Sequence, residues 1–260
     1  MNESPLKVWL EHNGPNEGAL LRLRLARPKA NVIDAAMIAA LRRALDAQRG
    51  NAGLLAALLD HEGPHFSFGA SVEEHLPERC AEMLAGFHGL LCRLLEWPKP
   101  ILVCAKGQCL GGGLELAMAG HLLFVSPEAR LGQPEIKLGV FAPAASVLLP
   151  LRIAQSHAED LLYSGRAIGG ATAAAWGLAN GLGEDPTAMA VEFFEKNLLD
   201  KSAAALACAV RAAREPFAEL ARARLSDVEA LYLEKLMATR DANEGLRAFI
   251  DKRRPKWEHR

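Results

Sequence analysis

The sequence predicts an α/β fold that ends in a helical C-terminal element. Three observations carry this. Short apolar runs of strand length recur between glycine- and proline-rich turns, most of them lead into a stretch with helical spacing, and from residue 154 onward the pattern is almost wholly helical.

Taken in order, residues 7–10 and 19–25 read as two strands joined by the turn-rich Asn13-Gly14-Pro15-Asn16-Glu17-Gly18, which predicts a hairpin. Asp34 is placed to cap a helix reaching about Gln48, with Ile38, Leu41 and Leu45 on one face. Residues 54–59 suit a buried strand, which Glu62-Gly63-Pro64 breaks. A helix over 81–96 stops before Pro98, a strand covers 101–105, and a turn leads into a helix over 114–119. Strand, turn and helix thus repeat as a unit. Beyond residue 154, Gly165 and Gly177 end successive helical segments, Pro186 opens another, and two helices are expected over 202–214 and 217–240. No long linker interrupts the chain, so the expected division is a core over 1–198 and a helical element over 199–260.

The chemistry concentrates in Gln108-Cys109-Leu110-Gly111-Gly112-Gly113-Leu114-Glu115 and Gly132-Gln133-Pro134-Glu135. Glycines without a Cβ let the main chain turn tightly and bring N–H groups close to a ligand. At the start of a helix those groups also sit at the positive end of its dipole, where an oxyanion is stabilised. Glu115 would stand in the first turn, beside that site. Gln133-Pro134 biases the backbone toward extended geometry, so Glu135 is expected on a rigid loop rather than a helix face. Taken singly, a glycine run is more often a packing turn and a first-turn Glu usually serves the dipole. Two carboxylates beside one anion site shift the balance toward acid–base chemistry. A third turn, His65-Phe66-Ser67-Phe68-Gly69-Ala70-Ser71, follows the strand at 54–59.

In this order the three segments resemble the crotonase (enoyl-CoA hydratase/isomerase) superfamily. Phe66 to Ser71 matches its Phe-x-x-Gly-Ala-Asp turn, Gly111-Gly112-Gly113-Leu114-Glu115 its Gly-Gly-Gly-x-Glu helix start, and Leu131 to Glu135 its Phe-Gly-Gln-Pro-Glu loop. Arg27-Pro28-Lys29-Ala30-Asn31, Ser164-Gly165-Arg166-Ala167-Ile168, Trp176-Gly177-Leu178 and the tail from Glu244 to Pro255 extend the likeness over essentially the whole chain. The resemblance implies a spiral of repeated ββα units and an acyl-CoA thioester substrate, with coenzyme A as part of that substrate and no other cofactor or metal. It implies that the backbone N–H groups of Phe68 and Gly112 form an oxyanion hole and that Glu115 and Glu135 are the acid/base pair, with Glu115 assigned to water and Glu135 to carbon. Substrate or coenzyme contacts are implied for Lys29, Ala30, Val32, Phe66, Ala70, Gly111, Pro134, Val140, Phe141 and Ala142, with charge mattering at Lys29. The C-terminal element implies a homotrimer or homohexamer; an alanine-rich helix packed on its own subunit is the alternative reading.

Departures from the family pattern narrow the substrate. Ser71 stands where the family usually has Asp, and Val140-Phe141-Ala142-Pro143-Ala144-Ala145-Ser146 replaces a Pro-Gly-x-Gly-Gly segment. An apolar wall of Phe68, Val140, Phe141 and Ala142 suits a short, broad acyl group. In this the chain looks most like family members that hydrate cyclic dienoyl thioesters in anaerobic benzoyl-CoA degradation. A general enoyl-CoA hydratase and an enoyl-CoA isomerase stay open as alternatives, and more remotely a non-catalytic CoA-ester-binding scaffold.

Composition bounds the rest. Thirty basic and 31 acidic residues give a formal net charge of −1, which suggests no nucleic-acid partner. The clusters Arg222-Ala223-Arg224 and Lys252-Arg253-Arg254 could meet coenzyme phosphates, although the first reads better as a solvated helix face. Five cysteines without a Cys-x-x-Cys pair fit a reducing cytoplasmic compartment, and Cys109 reads as a small packing residue rather than a nucleophile. The N-terminus lacks a signal pattern, and the apolar run 138–151 contains two prolines and falls short of the ~20 residues a membrane span needs. His61 and His65 have His-x-x-x-His spacing, but Gly63-Pro64 bars the helix that would align them on a metal.

Overall fold

The computed structural model describes residues 4–13 and 16–260, so the Gly14-Pro15 centre of the expected hairpin turn lies outside the described residues. β1 (Leu6–Asn13) and β2 (Asn16–Leu25) pair antiparallel, as the hairpin expectation required. Asp34 caps α1 (Ala35–Gln48) by accepting the Met37 N–H, and the helix buries Ile38, Leu41 and Leu45. β3 (Ala56–His61) lies beside β2 in parallel, and α2 (Cys80–Leu95) carries the chain back. β4 (Ile101–Ala105) is fully buried, as expected for a run of apolar residues inside a parallel sheet.

The spiral then becomes explicit. β5 (Gln108–Leu110) leaves the first sheet and is followed by α3 (Gly112–Ala119), β6 (Leu122–Val125) and β7 (Arg130–Gly132). After α4 (Pro143–Leu148) and α5 (Gln155–Ser164) come β8 (Ala167–Gly169), α6 (Gly170–Ala175), β9 (Gly181–Leu182) and α7 (Pro186–Asn197). Among the described residues one sheet has the order β1-β2-β3-β4-β6-β9 and a second the order β5-β7-β8. β4 and β6 join the first sheet while β5 and β7, which follow them, join the second; β8 then returns to the second sheet and β9 to the first. The turn after β3 does the same in miniature, because Ser67 forms a parallel bridge to Cys109 of β5. The strands from β5 to β9 run two to four residues, too short for an alternation pattern to show in the sequence.

One expectation fails in the C-terminal half. The break between the helices at 202–214 and 217–240 does not occur: α8 (Ala203–Ala230) runs straight through Pro216. Its packing against α2 and α4 holds the helix together despite the lost N–H. It continues as a π-helical turn over Leu231–Leu236, and a separate α9 (Arg240–Ile250) follows. Glu135, expected on a rigid loop rather than a helix face, stands in a short 3-10 turn, Pro134–Leu138, with Pro134 at its start, where a missing N–H removes no helical bond.

Candidate active site

Glu115 and Glu135 line a single cavity of about 350 Å³. Phe68, Ala70, Gly111, Gly112, Pro134, Val140, Phe141 and Ala142 line it too. The lining is otherwise mainly apolar, with Leu246 and Phe249 contributed by α9.

The glycine turn earns its composition through contact. Gly111 has φ +52°, and a Cβ there would stand 2.3 Å from Glu135 Oε1. Only glycine lets the start of α3 and the Glu135 carboxylate share this space. On the other side Gly113 presses against Ser67, where a Cβ would come within 2.7 Å of the Ser67 Cβ. Gly112 opens α3, so its N–H has no acceptor within the helix and lies at the positive end of the dipole.

Glu115 is buried, and its Oε1 accepts the Ala145 N–H at 2.7 Å. Ala145 belongs to the first turn of α4, so the segment that departs from the family pattern supplies a helix N-terminus to this carboxylate. Burial nevertheless wins, pushing Glu115 up to about 7 against the bonds from Ala145 and Ala144. Glu135 is pushed further, to about 8, by burial and by the neighbouring charge of Glu115. With its amide oriented to donate, buried Gln133 reaches both Glu135 oxygens at 3.1 and 3.3 Å. Both carboxyls thus hold their protons above the usual carboxylate range, Glu135 more firmly than Glu115.

The pair of free oxyanion donors is not what the structure shows. The Phe68 N–H donates to the Ala30 carbonyl at 2.9 Å, because the loop after β2 pairs with this turn; Ile33 N–H also donates to the Gly69 carbonyl at 3.0 Å. Phe66 needs correction as well. It does not line the cavity: its ring is buried, edge-on to His61 at 5.7 Å. Lys29, Ala30 and Val32 also stand outside the cavity lining, on the loop behind the Phe68 turn, with Lys29 exposed.

Several groups belong to the site's surroundings without a local sequence signal. Tyr232, on the π-helical turn, is buried against Phe141 with ring centres 5.3 Å apart. Its hydroxyl has no protein partner, and burial, then Cys80, Glu135 and Glu115, push its proton affinity up. His88 of α2 lines the cavity and contacts Glu229 of α8. Cys109 is a buried packing residue whose thiol is pushed up by burial. The arginine clusters are engaged with acids: Arg222 with Glu96, Arg224 with Asp227, and Arg253 with Glu244 and Asp251. His61 and His65 each accept a backbone N–H, from Lys106 at 3.2 Å and Gln108 at 3.1 Å. Among the described residues no helix is long and apolar enough to cross a membrane.

Residues 16–260 match the family profile described as Enoyl-CoA hydratase/isomerase. A cyclohexa-1,5-dienecarbonyl-CoA hydratase of Thauera aromatica is 59% identical over 257 residues, covering 99% of this chain and 98% of that protein. A probable enoyl-CoA hydratase of Bacillus subtilis is 30% identical, covering 91% and 94%. Among solved structures, an enoyl-CoA hydratase from Bacillus halodurans superposes with a TM-score of 0.85 at 20% identity, over 94% of this chain and 100% of that one. An enoyl-CoA hydratase/isomerase from Pseudoalteromonas atlantica gives 0.83 at 24% identity, over 97% and 99%. At these identities the two structures speak for the fold alone.

Proposed function

The chain belongs to the enoyl-CoA hydratase/isomerase family, and from that premise we propose that it hydrates a cyclic dienoyl-CoA thioester, cyclohexa-1,5-diene-1-carbonyl-CoA, to 6-hydroxycyclohex-1-ene-1-carbonyl-CoA. The observation that carries the proposal is the pairing of two carboxyls with raised proton affinity beside the free N–H of Gly112, in a cavity with apolar walls. Such a pair is poised to exchange protons near neutral pH. The likeness to the Thauera aromatica protein supports the ring substrate.

In this reading the thioester carbonyl rests on the Gly112 N–H at the start of α3. Glu115, the more readily ionised carboxyl, takes a proton from water as the water oxygen bonds to the β-carbon. The electron pair of that double bond moves toward the carbonyl oxygen and gives a dienolate, which the Gly112 donor stabilises. Glu135 then delivers its proton to the far end of the diene, and the remaining double bond shifts between the two changed carbons. Proton exchange with solvent and between the two carboxyls restores the starting state.

Coenzyme A enters as part of the substrate, and the reaction calls for no further cofactor. Lys29, exposed on the loop behind the Phe68 turn, is assigned to the coenzyme phosphates together with the Ala30 and Val32 backbone. Residues 199–260 act as the element that closes the acyl site, and assembly as a trimer or hexamer is part of the same reading. The step falls within anaerobic benzoyl-CoA degradation. Direct comparison of the cyclic diene with crotonyl-CoA, following product by mass spectrometry, tests the proposal. Higher kcat/KM for the diene is expected; preference for crotonyl-CoA overturns the ring substrate and leaves a general hydratase.

A further inference from the structure

Glu135 belongs to one 3-10 turn, Pro134–Leu138, and a single turn of this kind keeps its place only through what packs on it. On one side Gly165, at the end of α5, lies against Ile136 and Lys137: a Cβ there would stand 2.8 Å from Ile136 Cγ2. On another side lies α9. A Cβ at Gly245 would overlap the Leu138 carbonyl, so this helix is seated directly on the last residue of the turn.

The chain beyond α9 folds back along the same helix. Asp241 accepts the N–H groups of Glu258 and His259 at 2.7 and 2.8 Å, and Glu244 accepts that of Lys256 at 2.8 Å and pairs with Arg253. The Arg240 N–H donates to the Arg260 main-chain oxygen at 2.8 Å. Residues 253–260 are thus strapped to α9. The strap sets the Trp257 indole between two bare Cα atoms: a Cβ at Gly139 would stand 3.0 Å from its Cζ3, and one at Gly245 2.9 Å from its Cη2. Gly139 closes the Glu135 turn, its N–H donating to the carbonyls of Glu135 and Ile136. Its φ of +73° and its missing Cβ let the far edge of the ring come this close. Trp257 does not line the cavity, so it acts on the turn and not on a ligand.

We propose that Trp257 is a positioning residue for Glu135: the strapped indole pins Gly139, and with it the 3-10 turn, so that the carboxyl is held at the acyl site. The proposal rests on the hydratase reading given above. Gly111 supports Glu135 from within the site, and the folded-back tail supports it from outside.

The test compares steady-state diene hydration by the unaltered protein, Trp257→Ala, Trp257→Phe and Asp241→Ala. Trp257→Ala should lower kcat about tenfold, within the ~10²-fold that a misplacement of about 1 Å can cost, and change KM by about twofold or less. A loosened turn admits water to Glu135, which burial raises to about 8, so the alkaline limb of the pH–rate profile should move to lower pH. Glu115 and Tyr232, the titratable groups in electrostatic contact with Glu135, are the same in every variant. Trp257→Phe keeps an aromatic ring beside Gly139 and should recover much of the lost kcat. Asp241→Ala releases the Glu258 and His259 N–H groups and should shift kcat and the alkaline limb in the same directions by a smaller amount. A merely structural Trp257 would lower the melting temperature and leave kcat and the pH profile unchanged. A rise in KM alone would trace the strap to the apolar wall of Leu246 and Phe249. Either result overturns the inference and leaves the hydratase reading intact, whereas absence of diene hydration by the unaltered protein overturns both. Circular dichroism confirms that each variant is folded, and Asp241→Ala provides the independent route should Trp257→Ala fail to fold.

Discussion

Glu115 and Glu135 share a cavity and a side-chain type, yet the molecule supports them in different ways. Glu115 stands on a helix, with its carboxylate fixed by backbone N–H groups at the start of α4. Glu135 stands on a single 3-10 turn, leans on the bare Cα of Gly111 and has a side-chain amide as its partner. Backbone donors cannot be lost by mutation of their side chains, so the position of the Glu115 carboxyl is held by the fold itself. The proton on Glu135 depends instead on its neighbours: it is raised by burial and by the charge of Glu115. The contrast teaches that one member of the pair is held in place by backbone groups and the other by neighbouring side chains, while burial raises the proton affinity of both.

The largest expected effect would remove either role. Glu115→Gln and Glu135→Gln should each lower hydration by about 10²-fold or more, the usual range for positioned acid–base groups. Near-normal turnover in either folded variant would break the two-carboxyl mechanism. Next comes the contact between the two supports. Gly111→Ala places a Cβ where Glu135 Oε1 now sits and puts alanine at a positive φ, so a stability cost of ~1–3 kcal/mol is expected. Turnover should fall as Glu135 is displaced; chemical denaturation together with kcat would show whether the two losses travel together.

A smaller effect is expected at Gln133. Gln133→Leu removes the donor to Glu135 and should raise the proton affinity of that carboxyl, moving the alkaline limb of the pH–rate profile, where Glu135 loses the proton it delivers, to higher pH with about a tenfold loss of kcat or less. An unshifted profile would mean that Gly111 and burial alone position Glu135. Smallest is an effect on stability alone. Both carboxyls are raised from 4.5 in the folded protein, so the stability they contribute is fully present below that pH and is lost as pH rises through about 7 and about 8. Glu135→Gln should therefore melt higher than the unaltered protein at pH 9, by a few degrees at most, with the difference vanishing near pH 4. An equal gain at both ends of the pH range would trace the stabilisation to packing instead.

Much of this site could be read from local sequence because its members sit beside residues with strong backbone consequences. Gly111 to Gly113 announce a close approach, and the helix start and Glu115 follow within a few positions. The Gln133-Pro134-Glu135 run marks the second carboxyl on a rigid segment, whose form, a short 3-10 turn opened by the proline, is not legible from the run itself. Phe66 was assigned to the ligand from its motif, but the chain turns its ring into the core. Pro216 gave a false break, since packing on two other helices outweighs one absent hydrogen bond.

By itself the sequence determined the α/β class, the opening hairpin, the capped first helix, the buried strands and the two glutamates with their glycine turn. Each of these follows from periodicity or from backbone rules that act within a few residues. Tertiary structure alone decided that Ala145 would anchor Glu115, that Ala30 would take the Phe68 N–H, and that Glu229 would reach His88 across 141 positions of chain. It also decided the proton affinities of the pair. Desolvation and the proximity of two charges depend on which distant segments pack around a side chain, and no local pattern of residues encodes that.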